Sequence, residues 1–366
     1  MLALANLLLC MSVTMLIPTL PLWMCYIEGI TTFETGMAMA CLGIGMLLPG
    51  FLCSFLIQHY RRNIVFVCAA FMLALSILSL TYLHHAPLWV LLLTRLFQGI
   101  SYGLALIVLS STLVIDTCDS HQRTEANHSV TWFGRFALSL GPLLGLLLYQ
   151  QMNMPTVFIV AASCCVAAAV LVLTVHFPFR VPSEYVFRLS LDRFLLVEGL
   201  PMLLHLFPLM IAVGMLFSLP LSLHFYALLM VGFLLSLMAQ QFVFPDADLK
   251  SEIVSGLLLI IAGELVMLFI PTSPFCSPLI GTGLGIVGAR YLLFFIKLSR
   301  HCKRGTAQST FLMGWEVGVA LGMGLGLMLF DGDREMLIIC SLAIVVLALI
   351  LYVVFVHSWF IAHKNR

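Results

Sequence analysis

Twelve apolar runs, each close to the twenty or so residues a helix needs to cross a bilayer, leave this chain few folds to choose from. Cut at proline, glycine and charge clusters, they lie at about 2 to 25, 35 to 57, 64 to 83, 87 to 114, 129 to 150, 155 to 177, 199 to 219, 222 to 244, 252 to 270, 276 to 298, 307 to 330 and 335 to 357. Inside hydrocarbon the backbone has no water to bond, so such runs satisfy themselves as helices. Of 366 residues, 62% are hydrophobic and 9% charged, against roughly 45–50% and 25% in soluble domains. The expected fold is an all-α polytopic membrane protein with twelve transmembrane helices. Pro220 alone interrupts the seventh and eighth runs, which makes theirs the least marked turn.

Met1 leads straight into LALANLLLC, with no basic n-region and no small-residue cleavage pattern, so the first run reads as a membrane span and not a removed signal. Most of the eleven cysteines, Cys10, Cys53, Cys68, Cys164, Cys165 and Cys340 among them, lie inside apolar runs, where a small polarizable side chain is a packing residue. No Cys or His cluster has metal-site spacing, and no G-x-x-x-x-G-K-[ST] phosphate loop is present. Neither a metal nor another cofactor is expected, nor a nucleic-acid partner.

Loop charge sets the expected orientation. With the N-terminus inside, the cytoplasmic segments receive Arg61, Arg62, Arg123, Arg180, Arg188, Arg193, Lys250, Arg300, Lys303, Arg304, Lys364 and Arg366, and the opposite side only Arg334. That asymmetry obeys the positive-inside rule and puts both termini in the cytoplasm, with a bacterial cytoplasmic (inner) membrane as the expected location. The outer loops are short and nearly uncharged. The longest connection, from Phe177 to Phe194, divides the spans six and six. The expected organisation is a bundle over 1–177, a linker over 178–198 and a second bundle over 199–366.

The halves repeat. RTEANHSVTWFGRFALSLGPLLG, from Arg123 to Gly145, runs in register with RGTAQSTFLMGWEVGVALGMGLG, from Arg304 to Gly326. Asn127 meets Gln308, Gly141 meets Gly322, Gly145 meets Gly326, and Arg135 falls opposite Glu316. Gly50-Phe-Leu-Cys-Ser likewise returns as Gly232-Phe-Leu-Leu-Ser. Copies six spans apart share one orientation, as in a transporter of two parallel repeats. Opposite charges at equivalent depth then point to one central cavity.

LLLTRLFQGISYG in the fourth span, with Arg95, Gln98, Gly99 and Gly103, resembles the R-x-x-Q-G-x-x-x-G motif of the major facilitator superfamily. GRFALSLGPLLG in the fifth, with Gly134, Gly141, Pro142 and Gly145, is similar to the stretch associated with that family's antiporters. The resemblance covers essentially the whole chain and implies two pseudo-symmetric six-helix bundles, with spans five and eleven bordering a central cavity and a proton-relay role for Arg95. One departure concerns the loop after span two, which in the family reads G-x-x-x-D-R/K-x-G-R/K-R/K. Here Arg61 and Arg62 remain, but Gln58 stands nearest the expected carboxylate, and a neutral hydrogen bond from it is the expected substitute at the cytoplasmic gate.

Ionisable groups in apolar spans cost roughly 2.5–3.5 kcal/mol each near a helix centre, so they are the candidates for proton coupling or substrate binding: Glu316, Arg135, Arg95, Arg290, Glu264 and His205, with His224 and His128 behind them. Glu316, flanked by Trp315 and by glycines at 314, 318, 322 and 326, comes first. A carboxyl in a low-dielectric cavity can bind and release a proton as the cavity meets each side. The plainer alternative is a fixed salt bridge clamping the bundles. Arg135 is its counterpart, and its forked donors suit an anionic group. Arg290 could line the cavity or reach the interface. Glu264, in a span peripheral in this fold, reads as structural, and His205 as a packing residue able to titrate. Gly141-Pro142 reads as a break that bends the helix, because proline removes a helix hydrogen bond; the plainer alternative is an ordinary kink used only for packing. With Gly134 and Gly145 it would let the fifth helix approach the opposing bundle and seal one side of the cavity.

The expectation is a monomeric secondary transporter of a small organic solute with an anionic group, coupled to protons and directed outward. An uptake symporter or uniporter is the runner-up. An intramembrane enzyme would need a clustered Ser/His, paired Asp or metal set, which the spans lack.

Overall fold

A computed structural model describes residues 1–118, 122–177, 189–191, 193–243 and 248–364. The first six spans are α1 (Leu2–Ile27), α2 (Thr32–Leu47 with Gly50–His59), α3 (Arg62–Tyr82), α4 (Leu88–Thr117), α5 (Arg123–Gln151) and α6 (Met154–Leu173). The second six are α7 (Val197–Phe217), α8 (Leu223–Phe242), α9 (Leu249–Phe269), α10 (Cys276–Leu298), α11 (Arg304–Phe330) and α12 (Arg334–His363). Eleven are single helices long and apolar enough to cross a bilayer, and the twelfth, α2, is a pair bent by 45°. The twelve expected spans are therefore present. The expected 178–198 linker lies mostly outside the described residues. Within its described part, the Ser190 amide donates to the Phe51 carbonyl at 3.1 Å.

Packing repeats with a shift of six helices. α1 packs on α5 and α6 as α7 packs on α11 and α12; α2 packs on α4 as α8 packs on α10; α3 packs on α6 as α9 packs on α12. Contacts between the bundles obey the same operation, α2 with α11 mirrored by α8 with α5, and α4 with α11 mirrored by α10 with α5. The chain thus forms two pseudo-symmetric six-helix bundles. α5 and α11 are equivalent in packing as in sequence.

The glycines explain how closely the helices approach and correct one expectation. A methyl group at Gly141 would collide with the Thr14 side chain, and one at Gly145 with the Met15 backbone, while Gly134 faces Asn6. All three close on α1 of their own bundle, not on the opposing bundle. Spacings of seven and four keep them on one helix face, and Arg135 and Ser139 fall on another. The α11 glycines behave alike: Gly322 meets the Ile211 backbone of α7 and Gly326 the Ser218 side chain just past its end.

Nor is Gly141-Pro142 a break. α5 runs unbroken through Pro142, with the Thr14 hydroxyl donating to the Ala137 carbonyl at 2.8 Å beside it. The broken span is α2, at Leu48-Pro49. That bend separates the jobs of the short repeated motif. Gly232 packs on Gly281 of α10, whereas Gly50, beyond the bend, rests on Phe194, and Gly45 makes the equivalent contact with Gly99 of α4.

Met1 and Lys364 lie at one end of the bundle, with Arg61, Arg62, Arg123, Lys250, Arg300, Lys303 and Arg304. At this basic end a methyl group on Gly305 of α11 would meet the Ser111 backbone and Ile115 of α4. The Thr310 hydroxyl also donates to the Phe194 carbonyl at 3.0 Å. The other end is closed too: Gly324 lies against Gly36 and Ala40 of α2, and Thr32 hydrogen-bonds with Asp331. The two bundles thus meet at both ends.

Candidate functional site

Two cavities lie between the bundles, and Glu316 lines both. The first, narrow and about 250 Å³ only when the open space around it is counted, is bordered by Asn6, Thr131, Arg135, Phe311, Trp315 and Glu316. The second, about 440 Å³ with the open space around it counted, is bordered by Met39, Arg95, Tyr102, Leu138, Glu316 and Met323 among others. Glu316 therefore stands on the wall between an arginine of α5 and an arginine of α4. No ion pair joins it to either among the described residues; Tyr102 lines the second cavity with it.

Arg135 is the least ordinary group in the molecule. Its side chain is 3% exposed, and Nε and both terminal nitrogens are buried without a hydrogen-bond partner. Aromatic faces take the place of an anion: the guanidinium carbon lies 4.7 Å from the Trp132 ring centroid, 5.6 Å from Trp315 and 5.9 Å from Phe311. Such contacts recover about 0.5–2 kcal/mol each at best and leave five forked donors unused. Gly288 of α10 makes the room, since a methyl there would stand 2.8 Å from both Arg135 Nε and the Trp315 ring. The Trp132 indole N–H beside it is also buried and unpartnered.

Arg95 is held differently. It donates to Gln98 Oε1 at 2.7 Å, one turn along α4, and to the Ala38 carbonyl of α2 at 3.4 Å. Gln98 in turn donates to the Ser76 carbonyl of α3 at 3.0 Å. Tyr102, two turns beyond Arg95, brings its hydroxyl onto the same cavity and donates to Cys10 Sγ at 3.4 Å. The sequence reading passed over Tyr102, although i, i+3 and i+7 spacing from Arg95 puts Gln98 and Tyr102 on one face.

The remaining candidates lie away from these cavities. Arg290 is paired with Glu252 of α9. Glu264 is fully buried and accepts from the Ser341 hydroxyl of α12 at 2.8 Å, with its second oxygen unpartnered. His205 is hydrogen-bonded to Tyr291 and, at 2.8 Å, to the Ala348 carbonyl. All three lie inside the second bundle.

At the basic end, Gln58 does not act as the expected substitute for a carboxylate. Its amide donates to Ser54 of its own helix at 3.2 Å. The acid comes from elsewhere, because Arg62 pairs with Asp116 at the end of α4. A loop-end aspartate 54 residues away gave no local signal of that role.

Comparison with known proteins decides the family. A signature of the Major Facilitator Superfamily matches residues 2–323. The chain belongs to the major facilitator superfamily. Its fold is that of a solute transporter, and it is an integral membrane protein. Among solved structures, it is similar to the human organic anion transporter MFSD10 (TETRAN), at 16% identity and a TM-score of 0.69, over 96% of this chain and 97% of that one. The xylose transporter XylE from E. coli, in an inward-open conformation, is similar at 14% identity and a TM-score of 0.71, over 97% and 95%. A mutant of the nucleoside transporter NupG is similar at 14% identity and a TM-score of 0.63, over 96% and 98%. No curated protein sequence matches.

Proposed function

We propose that this superfamily member moves a small organic anion together with a proton by alternating access, as a monomer, with residues 1–177 and 199–366 rocking about the central cavities and the basic end facing the cytoplasm. The observation that carries this reading is the position of Glu316, shared by both cavities and ion-paired with neither Arg135 nor Arg95. A buried guanidinium with every nitrogen unpartnered is suited to receive a carboxylate, sulfonate or phosphate group. Neighbours of the same fold carry chemically different solutes, so the anion reading rests on Arg135 and not on likeness.

The sign of the coupling follows from competition. An ionised Glu316 that swings from Tyr102 into the smaller cavity occupies Arg135 and excludes the substrate anion. A proton on Glu316 removes that competitor. Proton and anion therefore bind together, which is symport, and an inward proton gradient drives uptake. The export expectation came from the antiporter-type stretch, whose glycines serve α1 packing and carry no direction. Arg95, held by Gln98 beside Tyr102, is the second station for the Glu316 carboxylate when the anion occupies Arg135.

Benzenesulfonate, which stays ionised and does not leak across lipid as a neutral acid, is a suitable probe in proteoliposomes. An inside-alkaline pH gradient should drive its accumulation by the wild type. Glu316→Gln should exchange it across the membrane without accumulation. Accumulation unchanged in Glu316→Gln, or driven by the reverse gradient, would contradict the reading.

A further inference from the structure

The two central cavities are stacked, and the same three helices wall both. Going from the first cavity to the second, α1 passes from Cys10 to Val13, α5 from Arg135 to Leu138, and α11 from Trp315 to Val319 and Met323, with Glu316 at the boundary. Steps of three and four residues keep each helix presenting one face to both spaces. All three helices start at the basic end. The second cavity therefore lies one to two turns nearer the opposite end.

The chemistry changes across that boundary. The first cavity holds Arg135, whose nitrogens are all unpartnered. In the second, every donor apart from Glu316 is engaged within the protein among the described residues. The Thr14 hydroxyl is shared between the Cys10 carbonyl at 3.0 Å and the Ala137 carbonyl at 2.8 Å, and the Tyr102 hydroxyl goes to Cys10 Sγ at 3.4 Å. Arg95 commits its three nitrogens to the Ala38 carbonyl, Gln98 Oε1 and Met39 Sδ. The rest of the described lining is aliphatic or methionine, with Met39 and Met46 from α2 facing Met323 from α11. Methionine is unbranched and repacks around an apolar group that enters. A hydroxyl or a second charge entering the same space leaves water and finds no partner.

We infer that the solute is an amphipathic monoanion, bound with its charged head on Arg135 toward the basic end and a compact apolar body, an aromatic ring or short alkyl chain, in the methionine-lined cavity toward the opposite end. This assignment rests on the proposal that Arg135 receives an anion, and it adds what the remainder of the solute is. The rise along α11 from Glu316 to Met323, about 10 Å, sets the length of the body. With the accompanying proton on Glu316, no ionised carboxylate faces that body. Polyhydroxylated acids and anions charged at both ends are the classes this site turns away.

Alkanesulfonates keep one permanently ionised head while the tail changes. Their binding to the purified wild type is measured calorimetrically, with the heats in empty micelles subtracted. From methanesulfonate through propanesulfonate to pentanesulfonate, affinity should rise about three- to four-fold with each methylene. Pentanesulfonate with a hydroxyl at the far end of its tail should bind about ten-fold or more weakly than pentanesulfonate itself. Pentane carrying a sulfonate at each end should bind no tighter than methanesulfonate. Met323→Gln, unbranched and of similar length, should weaken pentanesulfonate by about ten-fold and methanesulfonate by less than about two-fold, and Arg135→Gln should abolish binding of the whole series. Arg135-dependent affinity that is flat with tail length, a terminal hydroxyl tolerated without loss, or a disulfonate that binds tighter than methanesulfonate overturns the inference and leaves the Arg135 reading standing. A tail effect that persists in Arg135→Gln overturns it as well, because the body then binds elsewhere. If no sulfonate binds, the Arg135 reading fails and this inference with it. The series on the wild type decides even where Met323→Gln does not fold.

Discussion

Replacing Arg135 with methionine should make the protein more stable and inactive. The guanidinium is 3% exposed, and none of its nitrogens has a partner. A cation at such depth costs roughly 2.5–3.5 kcal/mol. Against that stand the faces of Trp132, Trp315 and Phe311 at 4.7, 5.6 and 5.9 Å; the nearest returns about 0.5–2 kcal/mol, and the other two, close to the limit of about 6 Å, add little. The balance, about 0.5–3 kcal/mol, is the gain expected when methionine, unbranched and adaptable, fills the same space between the rings. Arg135→Lys keeps the charge and should show no such gain. Reversible unfolding in mixed micelles, followed by tryptophan fluorescence, measures the difference, and benzenesulfonate uptake shows whether function is lost. A methionine variant less stable than wild type by 1 kcal/mol or more would mean that Arg135 has an anionic partner within the fold. Its reading as a receptor for the solute's anionic group would then fail.

Gly288→Ala places a methyl against Arg135 and Trp315 and should weaken benzenesulfonate binding, measured calorimetrically, by about ten-fold, with stability changed by no more than the 1–3 kcal/mol of ordinary overpacking. Asp116→Asn leaves Arg62 without its carboxylate and should destabilise the protein by about 1.5–3 kcal/mol, seen in thermal unfolding; the double variant with Arg62→Gln should recover part of that loss. Glu264→Gln keeps an acceptor for Ser341, and gradient-driven uptake should stay within about two-fold of wild type, since the group touches neither cavity.

The helices were legible because hydrocarbon leaves a spanning chain no other way to satisfy its backbone. The equivalence of α5 and α11 was legible because both keep the same glycine face toward the first helix of their own bundle. The partner of that face was not. Spacing of seven and four defines a stripe on α5 but cannot say that Thr14 and Met15 lie across from Gly141 and Gly145. Proline was ambiguous in the same way. Pro142 stays inside a continuous helix, while Pro49 marks the 45° bend of α2. At the site, Arg135, Arg95 and Glu316 stood out as isolated charges in apolar runs. Gly288 and Asp116 did not, because a glycine that makes room and a loop-end aspartate acquire meaning only from partners far along the chain. Arg290, Glu264 and His205 stood out equally by charge, yet each is engaged within the second bundle by Glu252, Ser341 or Tyr291.

The central claim is that a proton on Glu316 and an anion on Arg135 bind together. The direct measurement is the proton balance on binding, read with a pH dye as benzenesulfonate is added to purified protein in weakly buffered detergent near neutral pH. The account predicts uptake of up to about one proton per protein by the wild type and none by Glu316→Gln. Proton release on binding, or uptake that survives in Glu316→Gln, would contradict it.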